Sequence, residues 1–339
     1  MYKRQLVTGG SRFNGLAIVE ELAAHGHQVT TFNRGVTPVE FPRGVRQLHG
    51  DRHDHDALRT TFRDEEFDAV IDTSAYLLPD VESMVEIFKG RIGHYVFISS
   101  AASYAPPTIS PISEESPFNM SEDAKNSYGR NKAICEMYLL KQHREHGFPS
   151  SSIKLPTVLG PRNNQKQREA LMFYRVLQGR PVIIPGDGSV LSHPSYVFDQ
   201  AKSIRMMLLN PRTFGQGYNV GMTQYYTDEW FVDTIAEIAG VTPTKVHMPH
   251  DFTAEVYATF PYQIMPRHGV GLVPWYKSSL FDTRKLEDHI GYRQEHTLTA
   301  ALDETFQWMK RTGLDQSFEW EWQHEDALLE RLKGMPGVH

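Results

Sequence analysis

In the stretch "YGRNK", Tyr128 and Lys132 stand four residues apart. On a helix that spacing stacks the two side chains on one face. A phenol with an ordinary pKa of about 10 is a weak base at neutral pH, and a neighbouring ammonium favours its phenolate. The pair therefore has the makings of an acid/base device for a hydroxyl proton. Ser100 ends the apolar run "HYVFISS" and adds a hydroxyl at the kind of strand end where open α/β sheets present ligands. Near the start, "TGGSRFNG" lies between an apolar run and an amphipathic one. Such a turn lets backbone N–H groups at a helix N-terminus hold a pyrophosphate, with Gly9 and Gly15 in the positions that need glycine. Arg12 stands where a middle glycine is usual.

These residues need a scaffold, and the first half of the chain supplies its pattern. The runs "RQLVTG", "HQVTTFN", "VRQLHG", "DAVIDT" and "HYVFISS" read as strands. Amphipathic stretches separate them: "NGLAIVEELAAHG", a segment around Asp56 to Phe62, and Asp80 to Lys89. This β-α alternation predicts a Rossmann-type, doubly wound parallel sheet with right-handed crossovers. The Tyr128 helix follows a Pro- and Ser-rich loop of over 20 residues, long enough to wall a substrate site. "SSIKLPTVLGP" reads as the next strand. Residues 1–160 are thus expected to form the nucleotide-binding domain. Residues 161–339 are expected to be mainly a smaller mixed α/β substrate lobe, with segments returning to complete the sheet.

The end of the second strand selects the nucleotide. An acidic residue there holds the ribose 2′-hydroxyl of NAD, whereas an arginine accepts a 2′-phosphate. This strand ends "TFNRG", with Asn33 in the acidic position and Arg34 after it. NADP is therefore expected, with NAD the alternative, and Arg12 is a candidate second contact for the same phosphate. Asp51, ending the third strand, is expected near the adenine.

Composition limits the rest. The chain has 339 residues, a formal charge of -6 and a single cysteine, Cys135. The acidic balance gives no pull toward nucleic acid, and no apolar run approaches the ~18 residues that span a membrane. A lone cysteine fits a reducing, cytoplasmic setting. The 16 histidines include His53 with His55 and His143 with His146, but neither pair reaches the three or four converging ligands of a zinc site. No metal is expected, and Cys135 is expected to pack behind Lys132. The tail "FEWEWQHEDALLERL" reads as Trp320 and Trp322 followed by a short amphipathic helix that packs on the body or on a second subunit.

Taken in order, "TGGSRFNG", "FISSAASY", "YGRNK", "KLPTVLGP", "PGDGS" and "FDTRKLEDHIGY" resemble the extended short-chain dehydrogenase/reductases. Within these the likeness is to the NAD-dependent epimerase/dehydratase group, and the "TGG-x-R-F-x-G" loop with "FNRG" is similar to an atypical branch that includes chloroplast stem-loop-binding proteins. The resemblance implies Tyr128 as general acid/base, Lys132 as its partner and a nicotinamide-ribose contact, and Ser100 as the third catalytic member. The cofactor set it implies takes in Gly9, Ser11, Arg12, Phe13, Asn14, Gly15, Asn33, Arg34, Asp51, Arg52, Ser74, Ala75, Tyr128, Lys132 and Leu155. It also implies a homodimer built on the Tyr128 helix.

Departures from the family pattern narrow the chemistry. Sugar 4,6-dehydratases of the family carry Thr-Asp-Glu where this chain has Ser100, Ala101 and Ala102, so elimination by that route is not expected. Epimerase-reductases use a Cys and a His where Ala102 and Arg162 stand. What remains is reversible hydride transfer at a secondary hydroxyl or ketone of a sugar, nucleotide or nucleotide-sugar, by an oxidoreductase or an epimerase. After "PGDGS", Ser192 and His193 replace an arginine that grips a nucleotide diphosphate in many relatives. Tyr76, Ala101, Arg162, His193 and Arg267 are the expected substrate contacts. The alternatives are an NADPH-dependent ketoreductase of a non-sugar small molecule and a non-catalytic, RNA-associated protein of the same fold.

Overall fold

The computed structural model describes residues 3–106, 109–123, 127–165, 168–259, 278–333 and 335. In chain order the elements are β1 (Arg4–Thr8), α1 (Phe13–Ala24), β2 (Gln28–Asn33), β3 (Arg46–His49), α2 (His55–Phe62), β4 (Ala69–Asp72) and α3 (Leu78–Phe88). There follow β5 (His94–Ser100), α4 (Ser127–His146), β6 (Ser150–Leu155), β7 (Thr157–Leu159), α5 (Glu169–Leu177) and β8 (Val182–Pro185). Then come β9 (Leu191–Ser192), β10 (Pro194–Tyr196), α6 (Val197–Met207), β11 (Gln216–Asn219), β12 (Tyr226–Thr227) and α7 (Asp228–Ala239). The chain closes with β13 (Lys245–Met248), α8 (His250–Thr259), α9 (Arg284–Ile290), α10 (Leu298–Thr312) and α11 (Gln323–Leu332). It divides into two compact units. The first holds Met1–Pro156, Val197–Gly221 and Phe281–Glu295; the second holds Thr157–Tyr196, Met222–Leu280 and His296–His339.

The first unit is built on a 7-stranded sheet in the order β11-β6-β5-β4-β1-β2-β3. Every neighbouring pair in it is parallel. The central strands explain why: Leu6, Val7, Val70, Ile71, Val96 and Phe97 are fully buried, as a parallel sheet covered by helices on both faces requires. The reversal of strand order lies between β1 and β4, where Rossmann-type sheets bind their ligands. Phe62 of α2, Phe67 of the loop after it and Phe88 of α3 pack in edge-on and tilted contacts in a core shared with Leu6 of β1 and Val70 of β4. On α1, Ile18, Val19 and Leu22 are buried, and α6 lies against this helix. Arg205 Nε of α6 donates to Glu21 Oε1 of α1 at 2.6 Å.

The run "SSIKLPTVLGP" is not one strand. Pro156 has no N–H to give a ladder, and the chain breaks there into β6 of the first unit and β7 of the second. β11 later returns to the outer side of β6, with Gln216 opposite Ser151 and Asn219 opposite Lys154.

In the second unit, among the described residues, β7 pairs with β10, β9 with β12 and β8 with β13, each as a two-stranded sheet. Helices α5, α7 and α10 pack together, and Phe173 stacks on Phe306 with ring centres 4.8 Å apart. The tail is held on this unit by Arg175, buried in an ion pair with Glu325 of α11, and by Arg180 lying 4.2 Å over the Trp322 ring. Among the described residues no helix is long and apolar enough to cross a membrane.

Candidate functional site

The loop between β1 and α1 has the backbone its glycines allow. Gly9 sits at φ +88, and a Cβ there would lie 2.3 Å from Thr73 Oγ1. A Cβ on Gly15 would lie 2.7 Å from Gly10 N, so helix and turn touch through their main chains. Asn14 Oδ1 is buried without a hydrogen-bond partner. A buried acceptor left open costs free energy unless a donor arrives, and a ligand hydroxyl or N–H supplies one. Arg12 is exposed and makes no side-chain cap on α1; its Nε donates to Thr37 Oγ1 at 3.0 Å. It thus leans toward the segment that follows Arg34. Asn33 ties the end of β2 together, accepting from Gly35 N at 2.8 Å while its amide donates to Gly9 O at 3.4 Å. Arg34 is exposed, and Asp51 accepts from His53 N, a bond that lowers the Asp51 pKa with help from the charge of Arg34. The narrow turn, the helix start behind it, the open acceptor and the exposed cations fit a dinucleotide.

Arg52, another residue of the expected cofactor set, is turned inward. Its guanidinium is nearly buried and donates to both Asp72 oxygens at 2.8 and 3.1 Å, to Ser74 Oγ at 2.7 Å and to Asp80 O at 2.9 Å. Asp72 also accepts from Thr8 Oγ1, Tyr95 Oη, Ser74 N and Ala75 N. Burial alone would raise the Asp72 pKa, but the Arg52 charge and these donors overcome it and hold the carboxyl well below its usual range. Burial would likewise lower the Arg52 pKa, and Asp72 raises it instead. Ser74 and Ala75, expected at the cofactor, are both built into this cluster.

Lys132 is buried on α4. Its Nζ donates to Ala75 O at 2.7 Å and to Ile98 O at 2.8 Å, bridging the loop after β4 to β5. The ammonium also lies 4.7 Å from the Phe97 ring centre, 4.8 Å from Tyr76 and 6.0 Å from Tyr128. Burial pushes its pKa down to about 8. Tyr128 is 47% exposed, and its ring centre is 6.0 Å from that of Tyr76. Two tyrosine faces therefore flank one buried cation. Ser100, at the end of β5, pairs in register with Leu155 of β6, and its Oγ accepts from Ala102 N at 3.1 Å.

Gly129 brings Tyr128 to the end of β5. A Cβ on it would lie 2.1 Å from Ala102 O and 2.7 Å from Asn119 Nδ2. The first turn of α4 thus rests directly on the short turn after Ser100. Sequence reasoning passed over Gly129, Asp72 and Asp80. Only a polar residue closing the buried run "AVID" marked Asp72, and the neighbour of a tyrosine gives no sign of what lies against it.

The expected substrate contacts divide between the units. Tyr76 is 53% exposed and Ala101 is buried in the first unit. In the second, Arg162 has a left-handed φ of 66 and His193 is buried with Nε2 against Met222 O. Burial pushes the His193 pKa down to about 4, so this ring packs as a neutral group. Arg267 lies outside the described residues. Cys135 is buried in the core under β4 and β5, where desolvation pushes its thiol up to about 12. Among the described residues no group of three or more His, Cys, Asp or Glu is placed to hold a metal ion.

Known proteins resemble this arrangement. The chain is 29% identical over 276 residues to the chloroplast stem-loop binding protein of 41 kDa b of Arabidopsis thaliana, covering 77% of this chain and 70% of that one. It is 24% identical to 2′-dehydrokanamycin reductase of Streptomyces kanamyceticus, covering 74% and 71%. A UDP-glucose 4-epimerase of Thermotoga maritima, solved with UDP-glucose, shares the fold at TM-score 0.73 and 21% identity, over 91% of this chain and 99% of that one. The Thermus thermophilus UDP-glucose 4-epimerase solved with NAD does so at TM-score 0.69 and 23% identity, over 91% and 99%. The model of the NAD dependent epimerase/dehydratase family matches residues 5–221, the stretch that holds the glycine loop, Ser100, Tyr128 and Lys132. The chain belongs to the NAD dependent epimerase/dehydratase family.

Proposed function

We propose that the protein is an NADP-linked oxidoreductase or epimerase acting at a secondary hydroxyl or ketone of a sugar, nucleotide or nucleotide-sugar. Gly9, Gly15 and the start of α1 would hold the pyrophosphate, and Asn14 Oδ1 would take a donor from the cofactor. Arg34 and Arg12 would face a 2′-phosphate, which is why NADP is favoured over NAD. When bound, the nicotinamide supplies the acceptor or donor of a hydride. The chain's own residues handle the proton. Ser100 Oγ would hold the reacting oxygen, and the Tyr128 phenol would take or return its proton. Lys132, held by two carbonyls within 6.0 Å of the Tyr128 ring, would keep positive charge beside the phenolate.

The buried, doubly anchored Lys132 between Tyr76 and Tyr128 carries this reading, because a surface lysine at helical spacing would need neither anchor. The substrate class draws on the relatives: one solved neighbour holds UDP-glucose, and another relative is named as a reductase of 2′-dehydrokanamycin. The test is turnover of UDP-glucose with oxidised cofactor and of 2′-dehydrokanamycin with NADPH, by wild type and Tyr128→Phe. Positioned acid/base groups contribute about 10²–10⁴-fold, so the variant should lose turnover by that factor while binding NADPH as wild type does. Wild-type rates in Tyr128→Phe would overturn the assignment. A second reading, RNA binding without turnover, has the Arabidopsis relative's name behind it. Salt-sensitive binding to a stem-loop RNA together with no cofactor-dependent turnover would favour it.

A further inference from the structure

We propose that Asp72, with Arg52 and Asp80, is a positioning frame for Lys132: it fixes the segment from Ser74 to Leu77 so that the Ala75 carbonyl meets the ammonium. Every backbone N–H of that segment is claimed by one of two carboxylates. Ser74 N and Ala75 N donate to Asp72 Oδ1, each at 3.0 Å, while Tyr76 N and Leu77 N donate to Asp80 Oδ2 at 2.8 and 2.9 Å. Arg52 ties the two carboxylates together, with Nη1 2.8 Å from Asp72 Oδ1 and Nε 3.5 Å from Asp80 Oδ1. A helix start needs one cap, and Asp80 alone supplies it for α3. The second carboxylate, fully buried and given donors from five residues, exceeds what a turn requires.

The consequence falls on Lys132. Ala75 O is one of its two backbone acceptors, and Tyr76, the next residue, lays its ring 4.8 Å from the ammonium. The charged and titratable groups around Nζ are Asp72 from β4, Tyr76 from the loop after it, Asp80 from α3, Arg52 from the loop after β3, and Cys135 and Tyr128 from its own helix. Burial and the Arg52 charge oppose the ammonium, and the Asp72 and Asp80 charges favour it. Asp72 thus acts twice, by placing the acceptor and by its charge. Asp72 and Asp80 touch no substrate in this reading; they are positioning residues.

The test reads Lys132 directly. Protein labelled with carbon-13 lysine is titrated by NMR, the Lys132 signal being identified by its loss in Lys132→Met. Asp72→Asn should lower the Lys132 midpoint by about one unit or more, since it removes a charge that favours the ammonium and loosens the segment whose Ala75 carbonyl holds it. That variant leaves Arg52 buried without the nearer of its two carboxylates, so the double variant Asp72→Asn/Arg52→Met is measured beside it. With both charges gone, its midpoint should lie between those of wild type and the single variant. Folded variants that melt cooperatively and keep the wild-type midpoint would overturn the frame, because a purely structural role lowers the melting temperature and leaves the titration in place. The kinetic counterpart, an alkaline limb of kcat that moves with the NMR midpoint, rests on the function proposed above. If Tyr128→Phe keeps full turnover while the midpoint moves, that function fails and the frame stands; if Tyr128→Phe is inactive and the midpoint stays, only the frame fails.

Discussion

The contact between Gly129 and the turn after Ser100 makes Gly129→Ala a sharp test of how the site is assembled. In an ordinary helix interior this change stabilises by about 1 kcal/mol, because alanine loses less backbone freedom. Here the added Cβ would stand 2.1 Å from Ala102 O, 2.7 Å from Asn119 Nδ2 and 2.9 Å from Ala102 C. Relief requires a shift of roughly 1 Å, since carbon and oxygen do not approach much closer than about 3 Å. The neighbours have no easy way to yield. Asn119 Nδ2 donates to that same carbonyl at 3.3 Å, and Asn119 N donates to Ser103 O at 2.6 Å. Overpacking of this kind costs about 1–3 kcal/mol, which outweighs the propensity gain. Lifting the start of α4 also moves Tyr128 from Ser100, and a misplacement of about 1 Å can cost about 10²-fold in rate. Thermal melts and kcat with an identified substrate check both parts, with KM recorded to show that binding is less affected. A variant as stable and as fast as wild type would refute the role of the contact.

Three further outcomes follow from particular groups. Arg34→Ala should weaken NADPH binding about ten-fold or more and leave NADH nearly unchanged, as read by calorimetry; equal weakening would remove the 2′-phosphate argument. Lys154→Met should destabilise by about 3–5 kcal/mol in urea, because Lys154 and Glu136 are an ion pair with each side chain 1% exposed, and Glu136→Gln in addition should restore much of the loss. His94 accepts from Leu209 N on Nδ1 and sits 2.8 Å from Ser151 Oγ through Nε2, and burial pushes its pKa down to about 3. The unfolded chain therefore binds a proton that the folded one refuses. The stability due to neutral His94 is complete above pH 6.5 and is lost as pH falls toward 3. Wild type should lose about 2 kcal/mol more than His94→Gln between pH 7 and 5, measured by urea unfolding.

Much of the architecture was legible because its signals are local. Buried strands write continuous apolar runs, and the crossovers write amphipathic ones, so the parallel sheet of the first unit follows from "RQLVTG", "DAVIDT" and "HYVFISS". Pro156 marks a break inside "SSIKLPTVLGP", yet the pattern of the run is that of one strand. Both halves are equally apolar, and apolarity does not say which sheet a segment joins. β11 presents the same difficulty, since four residues carry too little pattern to name partners 65 residues earlier, Gln216 lying opposite Ser151.

Local chemistry marked Tyr128, Lys132, Ser100 and the glycine loop by residue type and spacing alone. Which groups meet was a matter for the tertiary structure. Arg52 beside Asp51 reads as a loop cation, and only the packing of β4 and α3 around it turns it into the partner of Asp72 and Asp80. Lys132 is identified by a four-residue interval, but its two anchors lie 57 and 34 residues away. Spacing along the chain fixes neighbours within a turn of helix, whereas hydrogen bonds and desolvation depend on distance in space, and folding alone sets that distance.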